Sequence, residues 1–86
     1  MVEYEIRFAR SASKALQALE SSLAFRILAR IEALSRAPRP SGCAKLEGSN
    51  NLWRIRVGDY RVIYEVDDRR RVVDVSAVRH RRDAYR

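Results

Sequence analysis

The sequence predicts an α+β fold in which a helical hairpin packs on one face of a mostly antiparallel four-stranded sheet. Three patterns support this prediction: an alternating N-terminal stretch, two amphipathic helical stretches, and several alternating stretches in the last third of the chain. The expected element order is β-α-α-β-β-β. A chain of 86 residues can bury one modest core, so we expect a single domain over residues 1–86.

The first half of the chain contains one predicted strand and two predicted helices. Residues 2–8 alternate apolar and charged side chains, which is typical of a half-buried strand. Apolar residues then recur at helical spacing over 12–19 and again over 23–34. Because one short turn separates the two helices, they should pack as an antiparallel hairpin.

The second half of the chain is predicted to form the rest of the sheet. Pro38, Pro40 and Gly42 end the helical region in a loop. A strand that begins at Lys45-Leu46 would be interrupted by the polar residues that follow. Further strands are expected at about 52–57, 60–66 and 71–78. With the helices on one side, the other face of the sheet is open to solvent.

A two-residue turn at Gly58-Asp59 fixes the pairing of the two strands beside it. The face toward the helices is then apolar or aromatic, and carries Trp53, Ile55, Val57, Tyr60, Val62 and Tyr64. The opposite face pairs Arg56 with Arg61, and places Arg54 next to them. Like charges directly opposite each other cost up to ~1 kcal/mol. Folding alone would not select this pair, so an anionic ligand is indicated.

The last two predicted strands extend the same face. Both a two-residue and a four-residue loop after Val66 pair Val66 with Arg71. In this register Arg61 lies opposite Ser76. The predicted open face therefore carries Arg54, Arg56, Arg61, Ser76, Val78 and His80. An alternative for Arg54 is a salt bridge to Glu65 or Asp74 on the same face.

The composition favours a nucleic acid ligand. The formal net charge is +7, and all but two of the 18 basic residues are arginines. Guanidinium groups suit bidentate phosphate contacts. A GC-rich genome would account for most of the scattered arginines, such as Arg26, Arg30 and Arg36, but not for the clustering near the C-terminus. There, Arg79, Arg81, Arg82 and Arg86 stand against only Asp83.

Several classes of site are excluded or disfavoured. The single Cys43 allows no internal disulfide, so the cytoplasm is the expected compartment. No apolar run is long enough to span a membrane, and the N-terminus lacks the pattern of a signal peptide. There is no glycine-rich phosphate motif, and one Cys with one His cannot form a structural zinc site. We therefore expect neither a metal nor a small-molecule cofactor.

Four motifs carry a resemblance to a known family: "P-x-P-x-G" from Pro38, "K-L-x-G" from Lys45, "W-R-I-R-V-G-D-Y-R-V-I-Y-E-V" from Trp53, and "H-R-R-D-A-Y" from His80. On these motifs the chain resembles RelE/ParE superfamily toxins, specifically the RelE-like ribonucleases of type II toxin–antitoxin systems. The resemblance implies an endoribonuclease that cleaves mRNA in the ribosomal A site, using the RNA 2′-hydroxyl as nucleophile and no metal. The implied partners are a RelB-like antitoxin, the ribosome and mRNA.

The resemblance also suggests roles for individual residues. Arg61, with Arg56, would stabilise the charge of the transition state, and Arg54 would hold the adjacent phosphate. His80, or its neighbour Arg81, matches a C-terminal basic residue of the family; His80 would protonate the leaving 5′-oxygen. Tyr85 would stack on or orient a base. Further RNA contacts are expected from Lys45, Arg79, Arg81 and Arg82.

The sequence departs from the family at the general base. Some relatives have lysines where Arg54 and Arg56 stand, and arginine is a poor proton acceptor because its pKa exceeds 12. Other relatives carry a carboxylate before "K-L", where this chain has Ser41-Gly42-Cys43-Ala44. The proton acceptor is therefore unassigned.

Two alternatives remain on the same fold, because fold alone does not decide function. One is a non-catalytic inhibitor of DNA gyrase, the ParE activity. The other is an inactive module that only binds an antitoxin. The ending from His80 to Tyr85 beside the arginine face favours the ribonuclease.

Overall fold

The structure is a computed structural model that describes residues 3–48 and 51–82. Its two helices are α1 (Arg10–Gln17) and α2 (Ser21–Ala33), and its strands are β1 (Glu5–Phe8), β2 (Ala44–Lys45), β3 (Leu52–Val57), β4 (Tyr60–Asp67) and β5 (Val72–His80). The predicted α+β class is confirmed. None of the helices in the described residues is long and apolar enough to cross a membrane.

The sheet has five strands in the order β1-β5-β4-β3-β2, rather than the predicted four. The additional strand is β2, a two-residue segment that pairs antiparallel with β3. β1 pairs parallel with β5. A parallel pair needs a long crossover connection, and here both helices and strands β2, β3 and β4 separate the two strands in the sequence. The sheet is therefore mixed, with one parallel pair at the β1 edge.

The core lies between the helices and one face of the sheet. Its buried helical residues are Ala12, Leu16, Ile27, Ile31 and Leu34, and its buried strand residues are Ile55, Val57, Val62, Tyr64, Val66, Val73, Val75 and Val78. Trp53 and Tyr60 are partly buried against this core. All six residues predicted to face the helices thus belong to or pack on the core.

Tyr64 is the largest fully buried side chain. Its hydroxyl donates a hydrogen bond of 2.7 Å to the carbonyl of Pro38. A buried hydroxyl without a partner would destabilise the fold, so this bond satisfies Tyr64 and also holds the loop after α2 against the sheet.

The β3–β4 hairpin has the predicted register. Arg56 lies opposite Arg61, and Arg54 lies opposite Ile63. The turn begins at Gly58, whose φ of 60° lies in the left-handed region that favours glycine. A loop of two residues leaves one pairing for the strands, which explains why this register follows from the sequence.

The turn between β4 and β5 begins one residue later than predicted. The Asp67 carboxylate accepts hydrogen bonds from the backbone N–H groups of Arg69 and Arg70, at 3.0 Å each. Arg71 then adopts a φ of 59°, and Val72 pairs with Asp67. The predicted pairing of Val66 with Arg71 is therefore wrong, since Val66 lies opposite Val73.

A β-bulge in β5 causes a second departure from the predicted register. Tyr64 pairs with Val75 but Ile63 pairs with Ala77, which leaves Ser76 as an extra residue. The bulge reverses the alternation beyond it, so Val78 lies in the core and not on the open face as predicted. The Ser76 carbonyl accepts a hydrogen bond of 3.4 Å from Ser11 of α1.

Candidate functional site

Three arginines lie directly opposite one another on β3, β4 and β5, near the β3–β4 turn. Arg56 of β3 pairs with Arg61 of β4, and Arg61 pairs with Arg79 of β5. We call these three the arginine row, and we call the sheet face that carries them, away from the helices, the open face. Neighbouring strands are ~4.8 Å apart, so the row is a compact line of cations that crosses the strands. Arg54 lies next to it on β3.

The arginine row borders an open depression of about 400 Å³ at the β3–β4 turn. Its lining residues are Arg56, Gly58, Asp59, Tyr60, Arg61, Arg81 and Arg82. The backbone N–H of Arg81 donates a hydrogen bond of 2.7 Å to the Asp59 carbonyl, which holds the chain after β5 against the turn. Arg81 and Arg82 therefore join the cations of the row, and Asp59 is the one carboxylate among the lining residues.

Three arginines of the open face form no ion pair in the parts of the chain that the structure describes. The ion pairs there join Arg7 to Glu5, Arg36 to Glu3, and Arg39 to Asp68. Arg54, Arg56 and Arg79 form none, so the alternative of a salt bridge from Arg54 to Glu65 or Asp74 is wrong. Like charges brought close together favour binding of an anion.

His80 does not share the face of the arginine row, contrary to the prediction. Because of the bulge it pairs with Tyr60, on the helix side of the sheet, with the two ring centroids 5.2 Å apart. Its Nδ1 accepts a hydrogen bond of 3.2 Å from the backbone N–H of Arg82. Arg79 occupies the open-face position opposite Arg61 that was predicted for Ser76.

His80 nevertheless lies beside the arginine-lined depression. It lines a second open depression of about 590 Å³ together with Asp59, Arg81 and Arg82. All three of those residues also line the first depression. The two depressions therefore adjoin at the end of the sheet, with the arginine row on one side and His80 on the other.

The remaining predicted residues lie elsewhere. Lys45 is on the edge strand β2, opposite Trp53 on the helix side of the sheet, and its RNA contact stays a prediction. Ser76 is the bulge residue. Tyr85 lies outside the described residues. Within residues 3–48 and 51–82, no three His, Cys, Asp or Glu side chains come together as metal ligands could.

Sequence reasoning missed two features of the site. It did not place Arg79 in the row, although Val75 and Val78, both apolar and three positions apart, are a signal for a bulge between them. It also did not place Asp59 among the cations. No pattern in the sequence indicates the backbone bond from Arg81 to Asp59 that creates this neighbourhood.

This combination of a small α+β fold with an arginine-lined end defines a class of small toxins from type II toxin–antitoxin systems. Residues 6–85 match the family described as "ParE toxin of type II toxin-antitoxin system, parDE". The chain belongs to this family, within the RelE/ParE superfamily of toxins.

Solved structures place the same fold among RelE toxins. A chain of the archaeal RelE–RelB complex from Pyrococcus horikoshii OT3 is 34% identical, with 91% of this chain and 94% of that chain covered and a TM-score of 0.81. A chain of the toxin–antitoxin complex RelBE2 from Mycobacterium tuberculosis is 27% identical, with 92% of this chain and 99% of that chain covered and a TM-score of 0.80. A free E. coli RelE with two arginine-to-alanine substitutions is 25% identical, with 99% of this chain and 90% of that chain covered and a TM-score of 0.81. None of the curated proteins compared with this chain matches it in sequence.

Proposed function

We propose that this toxin is a ribosome-dependent endoribonuclease that cleaves mRNA in the A site by metal-independent attack of the RNA 2′-hydroxyl. The observation that carries the proposal is the arginine row, in which Arg56, Arg61 and Arg79 lie directly opposite one another. The row adjoins a depression whose lining adds Arg81 and Arg82. The four guanidinium groups that line this depression, from Arg56, Arg61, Arg81 and Arg82, suit a phosphodiester backbone.

The arginines would act mainly on the transition state. As the 2′-oxygen bonds to phosphorus, negative charge accumulates on the non-bridging oxygens of the phosphate. Arg56 and Arg61 border the depression and would neutralise that charge, while Arg54 would hold the adjacent phosphate. Fixed cations need no reorganisation during the reaction, which is the main advantage of such a site over water. Tyr85 remains the proposed base-stacking residue.

Two protons must move in this reaction. The 2′-hydroxyl loses one, and the 5′-oxygen gains one as its bond to phosphorus breaks, which yields a 2′,3′-cyclic phosphate and a 5′-hydroxyl. We propose Asp59 as the acceptor, because it is the carboxylate that lies among the cations of the depression.

His80 stays the proposed donor to the leaving 5′-oxygen, with one condition set by its contacts. Its Nδ1 accepts a hydrogen bond from Arg82, so this nitrogen carries no proton in the structure. An imidazolium needs protons on both nitrogens, so His80 must release the Arg82 N–H before it can act as an acid. Arg81, in both depressions, would meanwhile neutralise charge on the leaving oxygen.

The proposed partners are the ribosome, its mRNA and a RelB-like antitoxin. Solved relatives from Pyrococcus horikoshii and Mycobacterium tuberculosis are toxin–antitoxin complexes. A net charge of +7 favours association with an acidic partner segment. An antitoxin that covers the arginine row would also block the proposed site.

Toe-printing of programmed ribosomes tests the proposal directly. The wild-type toxin should cut mRNA in the A site, and Arg61→Ala and Asp59→Asn should each lower the rate by on the order of a hundredfold. Arg69→Ala, in the exposed β4–β5 turn, is the matched control and should cut at the wild-type rate. Full cleavage by Arg61→Ala would refute the role of the arginine row.

A second candidate is inhibition of DNA gyrase, because the matching family carries the description of a ParE toxin. A supercoiling assay with purified gyrase, run beside the toe-printing assay, separates the two activities. Loss of supercoiling activity with no mRNA cleavage would favour gyrase inhibition. If induced expression of the toxin is harmless and both assays are negative, the chain is an inactive antitoxin-binding module.

A further inference from the structure

The charge on the open face changes sign from one end of the strands to the other. Strand pairing arranges the open-face residues in four successive lines across the sheet, as follows from the β1–β5, β2–β3, β3–β4 and β4–β5 registers. In order from the β3–β4 turn, these lines are Arg56, Arg61 and Arg79; Ala44, Arg54, Ile63 and Ala77; Leu52, Glu65, Asp74 and Arg7; and Asp67, Val72 and Glu5.

The first two lines carry arginines alone among their charged residues, and the last two carry most of the carboxylates. The change occurs between Ile63 and Glu65 on β4, and between Ala77 and Asp74 on β5. Glu65 is exposed and Asp74 is half-buried. These two carboxylates lie directly opposite each other, so they form the near edge of an acidic region that faces the cationic one.

Two cations lie among these carboxylates, and Arg7 forms an ion pair with one of them. Arg7 forms an ion pair of 2.9 Å with Glu5. Glu5 raises the pKa of Arg7 most, and Asp74 adds a weaker contribution. Arg70 borders a small depression of about 150 Å³ beside Arg7, Glu65, Asp67, Val72 and Asp74. Arg7 and Arg70 would be additional phosphate ligands if these carboxylates were absent.

The distances are short enough for the acidic region to affect a bound nucleic acid. Residues two apart on one strand are ~7 Å apart, so Glu65 is about that far from the Ile63 line. The Debye length at physiological ionic strength is about 8 Å. A phosphate that moves from the Arg54 line toward Glu65 therefore meets repulsion that salt screens only in part.

We propose that Glu65 and Asp74 are specificity-determining residues that confine single-stranded RNA to the arginine end of the open face. This inference rests on the proposed function. The carboxylates limit the number of phosphates that the toxin can neutralise and keep Arg7 and Arg70 from adding to it. Free RNA is then held weakly, and the ribosome supplies the remaining affinity and the orientation of the mRNA.

Binding of a short, fluorescent, 2′-O-methyl single-stranded RNA tests the inference without cleavage. The variant Glu65→Lys/Asp74→Lys should bind about tenfold more tightly than wild type at 0.1 M salt. Its plot of log affinity against log salt should steepen by about 1.4, or ~0.7 for each of two additional phosphates. Glu65→Gln/Asp74→Asn should tighten binding by about threefold.

The matched control is Glu3→Lys/Glu32→Lys, which makes the same change in net charge beside α2, off the open face. If it tightens binding and steepens the salt dependence as much as the open-face variant does, net charge explains the effect and the inference is wrong. Unchanged affinity and slope in a folded Glu65→Lys/Asp74→Lys protein also refute it. Circular dichroism checks the fold of each variant.

Cleavage assays separate this inference from the proposed function. Suppose that Glu65→Lys/Asp74→Lys binds free RNA with the steeper salt dependence, but that wild type cuts nothing on the ribosome. The proposed function then fails, and the inference that Glu65 and Asp74 confine the RNA stands. If wild type cuts ribosome-bound mRNA and the lysine variant also gains cleavage of unmodified free RNA, both are supported. If wild type cuts ribosome-bound mRNA but Glu65→Lys/Asp74→Lys gains no affinity for RNA, the proposed function is supported and the inference about Glu65 and Asp74 is refuted.

Discussion

Arg79 lies directly opposite Arg61 across β4 and β5, while its neighbour His80 lies opposite Tyr60 on the other face of the sheet. The two consecutive basic residues are therefore separated by the sheet itself. This relationship assigns them different parts in the proposed reaction, since Arg79 extends the arginine row and His80 lies beside the adjoining depression.

The first prediction concerns these two neighbours. Arg79→Ala should lower the rate of mRNA cleavage on programmed ribosomes by on the order of a hundredfold, because it removes one fixed cation from the row. His80→Ala should cause a smaller loss, because His80 must first release Arg82 to donate a proton. A reversed ranking, with His80→Ala losing a hundredfold or more, would mean that His80 donates its proton without first releasing Arg82.

The second prediction is that the arginine row reduces the stability of the fold. Arg56→Thr should raise the free energy of unfolding by up to ~1 kcal/mol, because it removes the like-charge pair with Arg61 and places a β-branched residue in a strand. The same variant should lose cleavage activity. Urea denaturation gives the stability, with Arg69→Thr in the exposed turn as a control near zero. A less stable Arg56→Thr protein would show that the row supports the fold.

The third prediction concerns the buried hydroxyl of Tyr64. Tyr64→Phe should lower the free energy of unfolding by about 1 kcal/mol, and by up to ~3 if the Pro38 carbonyl is left without a donor. Tyr60→Phe is the matched control, since its hydroxyl makes no hydrogen bond within the described residues. Its effect in urea denaturation should stay within about 0.5 kcal/mol.

Tyr64 should also make the fold less stable at alkaline pH. Burial, and secondarily the neighbouring Cys43, raise the pKa of Tyr64 above its ordinary value of 10.0. The folded state then disfavours loss of the phenolic proton. The contribution of Tyr64 to the free energy of unfolding is therefore complete below about pH 10, and it declines by up to ~1.4 kcal/mol per pH unit as the pH rises further. Tyr64→Phe should have a flatter stability profile above pH 10, and parallel profiles would contradict this assignment.

The fourth prediction concerns Asp68, which joins three parts of the chain. Its carboxylate accepts hydrogen bonds from Arg39 at 2.7 Å and from the Tyr4 hydroxyl at 2.6 Å. Arg39 first, and Tyr4 second, lower the pKa of Asp68. Its contribution is therefore present above the unfolded pKa near 4 and is lost as the pH falls below it.

Asp68→Asn should accordingly lower the urea midpoint at pH 7, while at pH 2 its midpoint should approach that of wild type. Asp59→Asn serves as a control, because the Asp59 side chain makes no ion pair within the described residues. If the difference between Asp68→Asn and wild type is the same at both pH values, the carboxylate charge does not stabilise the Arg39 and Tyr4 contacts.

The β3–β4 hairpin could be predicted in detail because its sequence leaves little choice. Gly58-Asp59 allows one tight turn, and a shift of one residue would expose Ile55 and bury Arg56. The position of β1 could not be predicted in the same way. Which edge of the sheet β1 occupies depends on how the helices cross it, and local alternation carries no information on that.

The end of β5 was placed on the wrong face for a different reason. Strict alternation from Val75 assigns Ser76, Val78 and His80 to the open face, and one bulge residue reverses this assignment. Burial decides the outcome, because exposing Val78 would forfeit ~1.5–3 kcal/mol of apolar burial. The predicted cation cluster was therefore right about Arg54, Arg56 and Arg61, and wrong about which residue of β5 completes it.

The parallel pairing of β1 with β5 has a consequence for the order of folding. Among the described strands β1 has β5 as its one partner. β1 therefore cannot pair until β5, which follows the other described strands in the sequence, has been synthesised. Pairing of such distant segments slows folding, because a long loop must close before any contact compensates for its entropy. Arg79 joins Arg61 in that same late step. A chain whose β5 has not yet paired therefore lacks the third member of the arginine row.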